Sequence, residues 1–347
     1  MLGNKKSEAL LANIRNGQPM PQNEKLKLIV SLSIPSILAQ ITTVMMFFID
    51  ASMVGHLGAE ASASIGLVES TTWLMGSVMS AASMGFSVQV SHFIGANDFF
   101  KARQVFRHGL LCGLAFSLII AAIGTSIHSV LPLWLGGGND INHDASQYYL
   151  VFSLTMPFIL LFHLSASMIK CSGNMQLPSL MSVLLCVLDV IFNYLFIYML
   201  HLGVVGAAIG TSMAYISTSL PIAWMATRRN KILALQLDNV PFKWVWDYVT
   251  KAIRISLPMA IQSVLMSGAQ IVSTLIVAPL GNIAIASNSF AITAESLCYM
   301  PGYGIGDAAT TLVGQTYGAG RKDLCKSFAH MTVGLGMLVM AFMGLIM

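Results

Sequence analysis

Residues 26–57 read LKLIVSLSIPSILAQITTVMMFFIDASMVGHL, and beyond Lys27 this stretch contains a single formal charge, the carboxylate of Asp50. As a helix rising 1.5 Å per residue it reaches about 45 Å, more than the roughly 30 Å of bilayer hydrocarbon, so it can span a membrane with tilt. Asp50 is then expected at membrane depth. A carboxylate there costs about 2.5–3.5 kcal/mol on insertion scales, and it normally faces a protein interior or a wet cavity. That makes Asp50 a functional candidate; the structural alternative is an acid near a helix end that reaches the outer headgroups. Pro35 lacks the N–H that would bond one turn back, and it predicts a kink in the same helix.

The rest of the chain agrees with a membrane setting. Hydrophobic residues make up 56% and charged residues 9% of the 347 positions, with a mean hydropathy of +0.74. No soluble domain of this length normally has that balance. Residues 1–20, MLGNKKSEALLANIRNGQPM, are polar and basic and lack the apolar core of a secretory signal, so they read as a cytoplasmic lead-in. Cys112, Cys171, Cys186, Cys298 and Cys325 show neither metal nor disulfide spacing and read as reduced packing residues. The 23 methionines are core filler by default, although Met-rich walls also suit adaptable binding of varied apolar ligands.

Apolar runs separated by polar turns predict nine spans, at about 26–57, 68–95, 104–133, 146–169, 176–199, 203–226, 250–280, 284–317 and 328–347. The one sizeable polar linker lies between the sixth and seventh, where Trp244, Trp246 and Tyr248 suggest an interfacial belt or a surface-lying helix. All 18 Lys and Arg residues fall on one side of this scheme. The opposite loops carry only His56, Glu60, Asp140, His143, Asp144 and His201. By the positive-inside tendency the N-terminus is cytoplasmic, and the net charge of +4 calls for no nucleic-acid partner.

An internal repeat follows. Displacing the chain by 223 residues places Pro35 on Pro258, Leu57-Gly58 on Leu280-Gly281, Ala61, Ala63 and Ser64 on Ala284, Ala286 and Ser287, and Gly95-Ala96 on Gly318-Ala319. Six spans, an even number, separate the copies, so they share one orientation about an axis along the membrane normal. The expected architecture is an all-α polytopic membrane protein of two parallel six-helix lobes. Its parts are a cytoplasmic N-terminal segment (1–25), a first lobe (26–227), a cytoplasmic linker (228–249) and the first three helices of a second lobe (250–347). On this scheme the second lobe stops after about three helices, as a fragment or a truncated gene would.

The motifs FFIDASMVGHLGAEASASIG, IKCSGNMQLP, HLGVVGAAIGT and MPGYGIGDAATTLVGQTYGAGRKD, in this order, resemble the multidrug and toxic compound extrusion (MATE) transporters of the DinF-like or NorM-like bacterial type. The resemblance runs from Pro35 to about Phe328. It implies a V-shaped two-lobe transporter that exports organic, often cationic, compounds against an inward flow of protons or sodium ions. It also implies that Asp50 is the cation-coupling acid of the first helix. Where many members have Asn and then Asp four residues later in the fifth helix, this chain has Asp189 and then Asn193. Residues i and i+4 share a face, so carboxylate and amide still project into one space. Tyr148 and Thr211 fall near positions that line the same first-lobe pocket in family members. Met266 stands where some members carry a Glu, a departure that argues against a sodium site of their kind in the second lobe.

The remaining intramembrane acids are Glu295 and Asp307 in the eighth span, with Glu69 at the start of the second. Glu295 and Asp307 are candidate pocket residues of the second lobe, separated by about 120° around their helix. Asp307 has an alternative structural role, bonding to Thr310 or Thr311. No Lys or Arg is expected beside any of these acids. Burial penalises the charged form and two nearby carboxylates resist ionising together, which suits proton coupling at Asp50, Asp189 and Asn193. Sodium is the alternative ion, since carboxylate, amide and hydroxyl oxygens are hard ligands. Pro35 and Pro301 are the expected hinges.

No nucleotide, hydrolase or metal signature is present in the sequence, and the eight histidines are scattered, so no enzyme and no cofactor beyond the coupling ion is expected. The expected partners are small organic, often cationic, substrates and membrane lipids, around a chain that is monomeric when complete and sits in the bacterial inner membrane. The rival readings are a lipid-linked precursor flippase, which calls for Arg or Lys in its cavity, and an inactive truncated transporter.

Overall fold

The computed structural model describes residues 5–136, 138–238, 242–277 and 282–346. Eleven α-helices account for nearly all of them: α1 (Lys5–Arg15), α2 (Gln22–Gly55), α3 (Ala59–Gly95), α4 (Phe99–Ile127), the single turn α5 (Leu131–Trp134), α6 (Asn139–Cys171), α7 (Gln176–Asn193), α8 (Gly203–Trp224), α9 (Trp246–Val277), α10 (Asn282–Gly318) and α11 (Lys322–Ile346). No strand occurs among the described residues. Each of the nine sequence-predicted spans is one of the long helices. Seven of these helices are long and apolar enough to cross a membrane. The other two, α3 and α10, are each 37 residues long and carry many Ser, Thr, Gly and Gln side chains. Their composition follows from their place, because they pack on protein over much of their length and need not be apolar all round.

The repeat is written into the helix boundaries. The helices α3 and α10 begin and end at positions 223 residues apart, as do the first residues of α4 and α11. The helices α2 to α8 form the first lobe, and α9 to α11 belong to the second. The lobes meet with a reciprocal contact between α3 and α10. Gly95 lies against the backbone of Gln315, and Gly318, its repeat equivalent, lies against the backbone of His92, the equivalent of Gln315. Gly314 faces its own equivalent, Ser91. A Cβ at any of these glycines would enter the opposing helix, so only glycine lets the two backbones come this close. Ser91 Oγ donates to the Thr311 carbonyl at 3.2 Å, and Gln315 Nε2 donates to the Cys171 carbonyl at 2.8 Å.

These inter-lobe contacts gather on the side that carries the basic loops. Along α2 they involve Ser36 and Ile37, along α9 Ala252 and Ser256, and along α10 Gly304 and the residues after it. Toward the other side α9 exposes Leu257, Ile261, Val264, Leu265 and Met266. The described inter-lobe contacts thus lie at the basic side, as expected of a V-shaped pair of lobes whose cleft is on the opposite side.

Residues 1–25, read as a polar lead-in, hold more structure than expected. Within them α1 buries Leu11 and Ile14, three residues apart on one face, in a cluster with Leu28, Ile29, Met175, Ala308, Leu312 and Phe328. Ser7 Oγ meets Ser31 Oγ at 2.6 Å, and Arg321 donates to the Gln18 carbonyl at 2.6 Å, so the segment closes the basic end beneath both lobes. The short spacing of Leu11 and Ile14 was too weak a signal to stand out in a basic stretch. The linker, by contrast, forms no surface helix over its described residues. It is clamped to α4 by Arg103, whose Nε and Nη2 donate to Asp238 at 2.6 Å each. Trp244 and Trp246 are exposed, as a membrane-interface belt requires, while Tyr248 packs edge-on against Phe93.

Gly95→Ala is expected to destabilise the lobe contact by about 1–3 kcal/mol through overpacking. Gly306→Ala, which faces open space, should not. Thermal unfolding of the two purified variants checks the contrast, and equal midpoints would contradict the close-approach account.

Candidate functional site

The helix α7 buries Ser179, Met181, Leu185, Asp189 and Asn193, a stripe turned toward α2 and α8. Asp189 and Asn193 are 0% and 1% exposed, so an acid and an amide one turn apart lie entirely inside the first lobe. Asp50 reaches them from α2. The Asn193 amide bridges the acids: Nδ2 donates to Asp50 Oδ1 at 2.9 Å and to Asp189 Oδ2 at 3.1 Å. The i,i+4 spacing of Asp189 and Asn193 makes the bridge possible, since it places both on one helix face.

Two small residues on α8 let it approach. Gly210 sits against the Asn193 side chain and backbone, and Gly206 against the backbone of Phe196 and Ile197. At that point the helix after α7 widens over Tyr194–Met199, with Leu200 N bonding back to the Leu195 carbonyl at 2.9 Å. Such i→i+5 turns recur at functional positions in helices. Thr211, the neighbour of Gly210, interacts with the Asp189 carboxyl, and Tyr148 lies within electrostatic reach of Asp50, Asp189 and Glu69. The structure thus assembles Asp50, Asp189, Asn193, Tyr148 and Thr211 in one place.

Charge in this site is unbalanced. None of the ion pairs among the described residues involves Asp50 or Asp189. Asp189 Oδ1 and Asn193 Oδ1 are buried and accept no hydrogen bond among the described residues. Buried acceptors without donors are costly, and here two of them stand beside a second carboxyl.

The second-lobe candidates do not join this site. Asp307 faces α2 and α6 at the basic end of the lobe contact, where Ser36 Oγ donates to Oδ2 at 2.6 Å and Lys170 Nζ at 2.7 Å. This corrects two expectations, that no Lys or Arg stands beside an intramembrane acid and that Thr310 or Thr311 satisfies Asp307. Lys170 ends α6, so sequence position alone placed it in a loop, but the lobe contact folds it inward. Thr311 Oγ1 bonds instead to the Lys170 carbonyl at 3.2 Å. Glu295 is exposed, on the side of α10 opposite Gly304. Pro35 lies within α2, next to Ser36, and Pro301 is buried within α10. Both helices continue through their prolines.

Comparison with known proteins follows from this geometry. The profile of the MatE family matches residues 35–195 and 258–347. The chain belongs to the MatE family. It is 25% identical over 302 residues to a probable multidrug resistance protein NorM of Thermotoga maritima, covering 86% of this chain and 64% of that relative. It is also 25% identical over 259 residues to the multidrug export protein MepA of Staphylococcus saprophyticus, covering 74% of this chain and 56% of the relative. The chain thus spans a little under two thirds of the length of these relatives. Among solved structures, a multidrug resistance MATE family transporter in an outward-facing conformation superposes with a TM-score of 0.85 at 22% identity, over 98% of this chain and 73% of the other. A MOP superfamily transporter from Pyrococcus furiosus gives 0.87 at 22% identity over the same shares. These likenesses establish the fold and the membrane setting of this MatE chain.

Lys170 and Asp307 are 19% and 20% exposed, so removing one partner strands the other charge in a partly buried place. Lys170→Met or Asp307→Asn alone is expected to destabilise the protein by about 3 kcal/mol. The exchanged pair Lys170→Asp/Asp307→Lys should recover most of that loss in thermal unfolding. Additive losses in the exchanged protein would show that the pair has no net effect.

Proposed function

We propose that this MatE protein is a secondary antiporter that exports organic cations in exchange for protons, with sodium as the alternative ion. The observation that carries the reading is the buried Asp50–Asn193–Asp189 bridge, which holds two carboxyls and no compensating cation. Two adjacent carboxyls in low dielectric resist being ionised together. Taking up a proton or a small monovalent cation relieves them, and losing it restores a negative site to which a cationic substrate is attracted. Substrate and ion therefore compete for the same charge. Each can move the two-lobe equilibrium only by its different affinity for the two arrangements.

The side of the basic loops is the cytoplasmic side in this proposal, which puts α1 inside the cell and opens the cleft outward across a bacterial inner membrane. Pro35 supports a hinge role by position: it lies in α2 beside Ser36 and Ile37, which meet the second lobe, and Asp50 lies about four turns further along the same helix. Bending there as the acids change charge would couple the site to the lobe contact. The flippase reading gains no support from Lys170, whose charge is matched by Asp307 at the closed end of the lobes.

Ethidium efflux from membrane vesicles carrying the full-length chain tests the proposal under an imposed pH gradient or an imposed sodium gradient. Efflux should follow the pH gradient and fall by at least tenfold in Asp50→Asn at equal expression. Dependence on sodium alone would name the other ion. Undiminished efflux in Asp50→Asn would remove the carboxyl pair from the mechanism.

A further inference from the structure

Glu69, Trp73 and Phe47 form a second group in the first lobe. Glu69 and Trp73 are one turn apart on the same face of α3. The Trp73 ring packs on Phe47 of α2, with centroids 4.4 Å apart and planes inclined by 35°. Glu69 is exposed and Trp73 is 41% exposed, although both lie well inside long helices of a membrane protein.

The direction in which they face can be read from helix register. Trp73 precedes Ser91 by eighteen residues, about five full turns, so both point from the same side of α3. Ser91 bonds to the Thr311 carbonyl of the second lobe. Phe47 follows Ser36 by eleven residues, about three turns, and Ser36 bonds to Asp307 of the second lobe. Trp73 and Phe47 thus share a helix register with Ser91 and Ser36, which join the lobes at the basic end. No ion pair among the described residues involves Glu69.

We propose that Glu69, Trp73 and Phe47 are a docking site for a planar organic cation in the open cleft, ahead of the buried acid pair. The inference rests on the efflux reading and names the substrate class and its first contact. A carboxylate supplies opposite charge. A stacked indole and phenyl ring supply flat, polarisable surface that favours cations over neutral rings. Glu69 is one turn from Trp73 on the same helix face, so a flat cation meets charge and π surface together. Tyr148 is within electrostatic reach of Glu69, Asp50 and Asp189.

Equilibrium binding of ethidium to the purified protein in neutral-lipid nanodiscs, followed by fluorescence anisotropy, provides the test. Glu69→Gln and Trp73→Leu should each weaken binding by on the order of tenfold, whereas Glu69→Asp should retain most of it. Glu60→Gln, an exposed acid of the same helix that lies nearer its end, should bind as wild type does. Quenching of tryptophan emission by ethidium should also diminish in Trp73→Phe, a change too small to unfold the helix. Wild-type affinity in both Glu69→Gln and Trp73→Leu would overturn the site and leave the efflux reading standing. Failure of the wild-type protein to bind either ethidium or tetraphenylphosphonium would overturn both.

Discussion

The close approach of α3 and α10 constrains the rest of the molecule. Two helices whose backbones touch at Gly95 and Gly318 cannot slide or tilt independently, because packed interfaces have discrete arrangements and little room for intermediate ones. Repeat symmetry makes the contact reciprocal, each glycine meeting the residue equivalent to the one its counterpart meets. The lobes are thereby pinned at the basic end, and their separation elsewhere follows from where that pin sits.

Polar chemistry is distributed around this contact in two different ways. At the closed end Asp307 is answered by Lys170 and Ser36, so its charge is matched and serves to hold helices together. In the first lobe Asp50 and Asp189 share only one amide, and two buried oxygens are left without donors. The same residue type is thus ion-paired in one place and, among the described residues, free of any ion pair in the other. What differs is the presence of a cation within reach, which decides whether a buried carboxyl is already satisfied or still has capacity for a proton, an ion or a charged solute.

Much of the site was legible before folding. Asp50 stood out because a lone acid in an apolar run is costly, and Asp189 and Asn193 because their spacing places them on one helix face. What the sequence did not disclose was which acids would be paired. Lys170 lies in the last turn of α6 beside a polar loop, and only the approach of α10 to α6 brings Asp307 to it. The α1 segment was missed for a related reason, since Leu11 and Ile14 amount to one apolar face of three turns, too short to be stable without the lobes above it.

The sequence by itself determined the membrane class, the long helices, the gathering of the basic loops on one side and the 223-residue repeat, because these depend on local hydropathy and on the order of residues along the chain. Tertiary structure decided which side chains meet: the Asn193 bridge, the Lys170–Asp307 pair and the Trp73–Phe47 ring contact. Such contacts join residues far apart in the chain, and their partners are set by helix rotation and by the few glycines that let backbones close up. A linear pattern records which face of a helix a residue occupies, but the neighbour that face will find is fixed only when the helices pack.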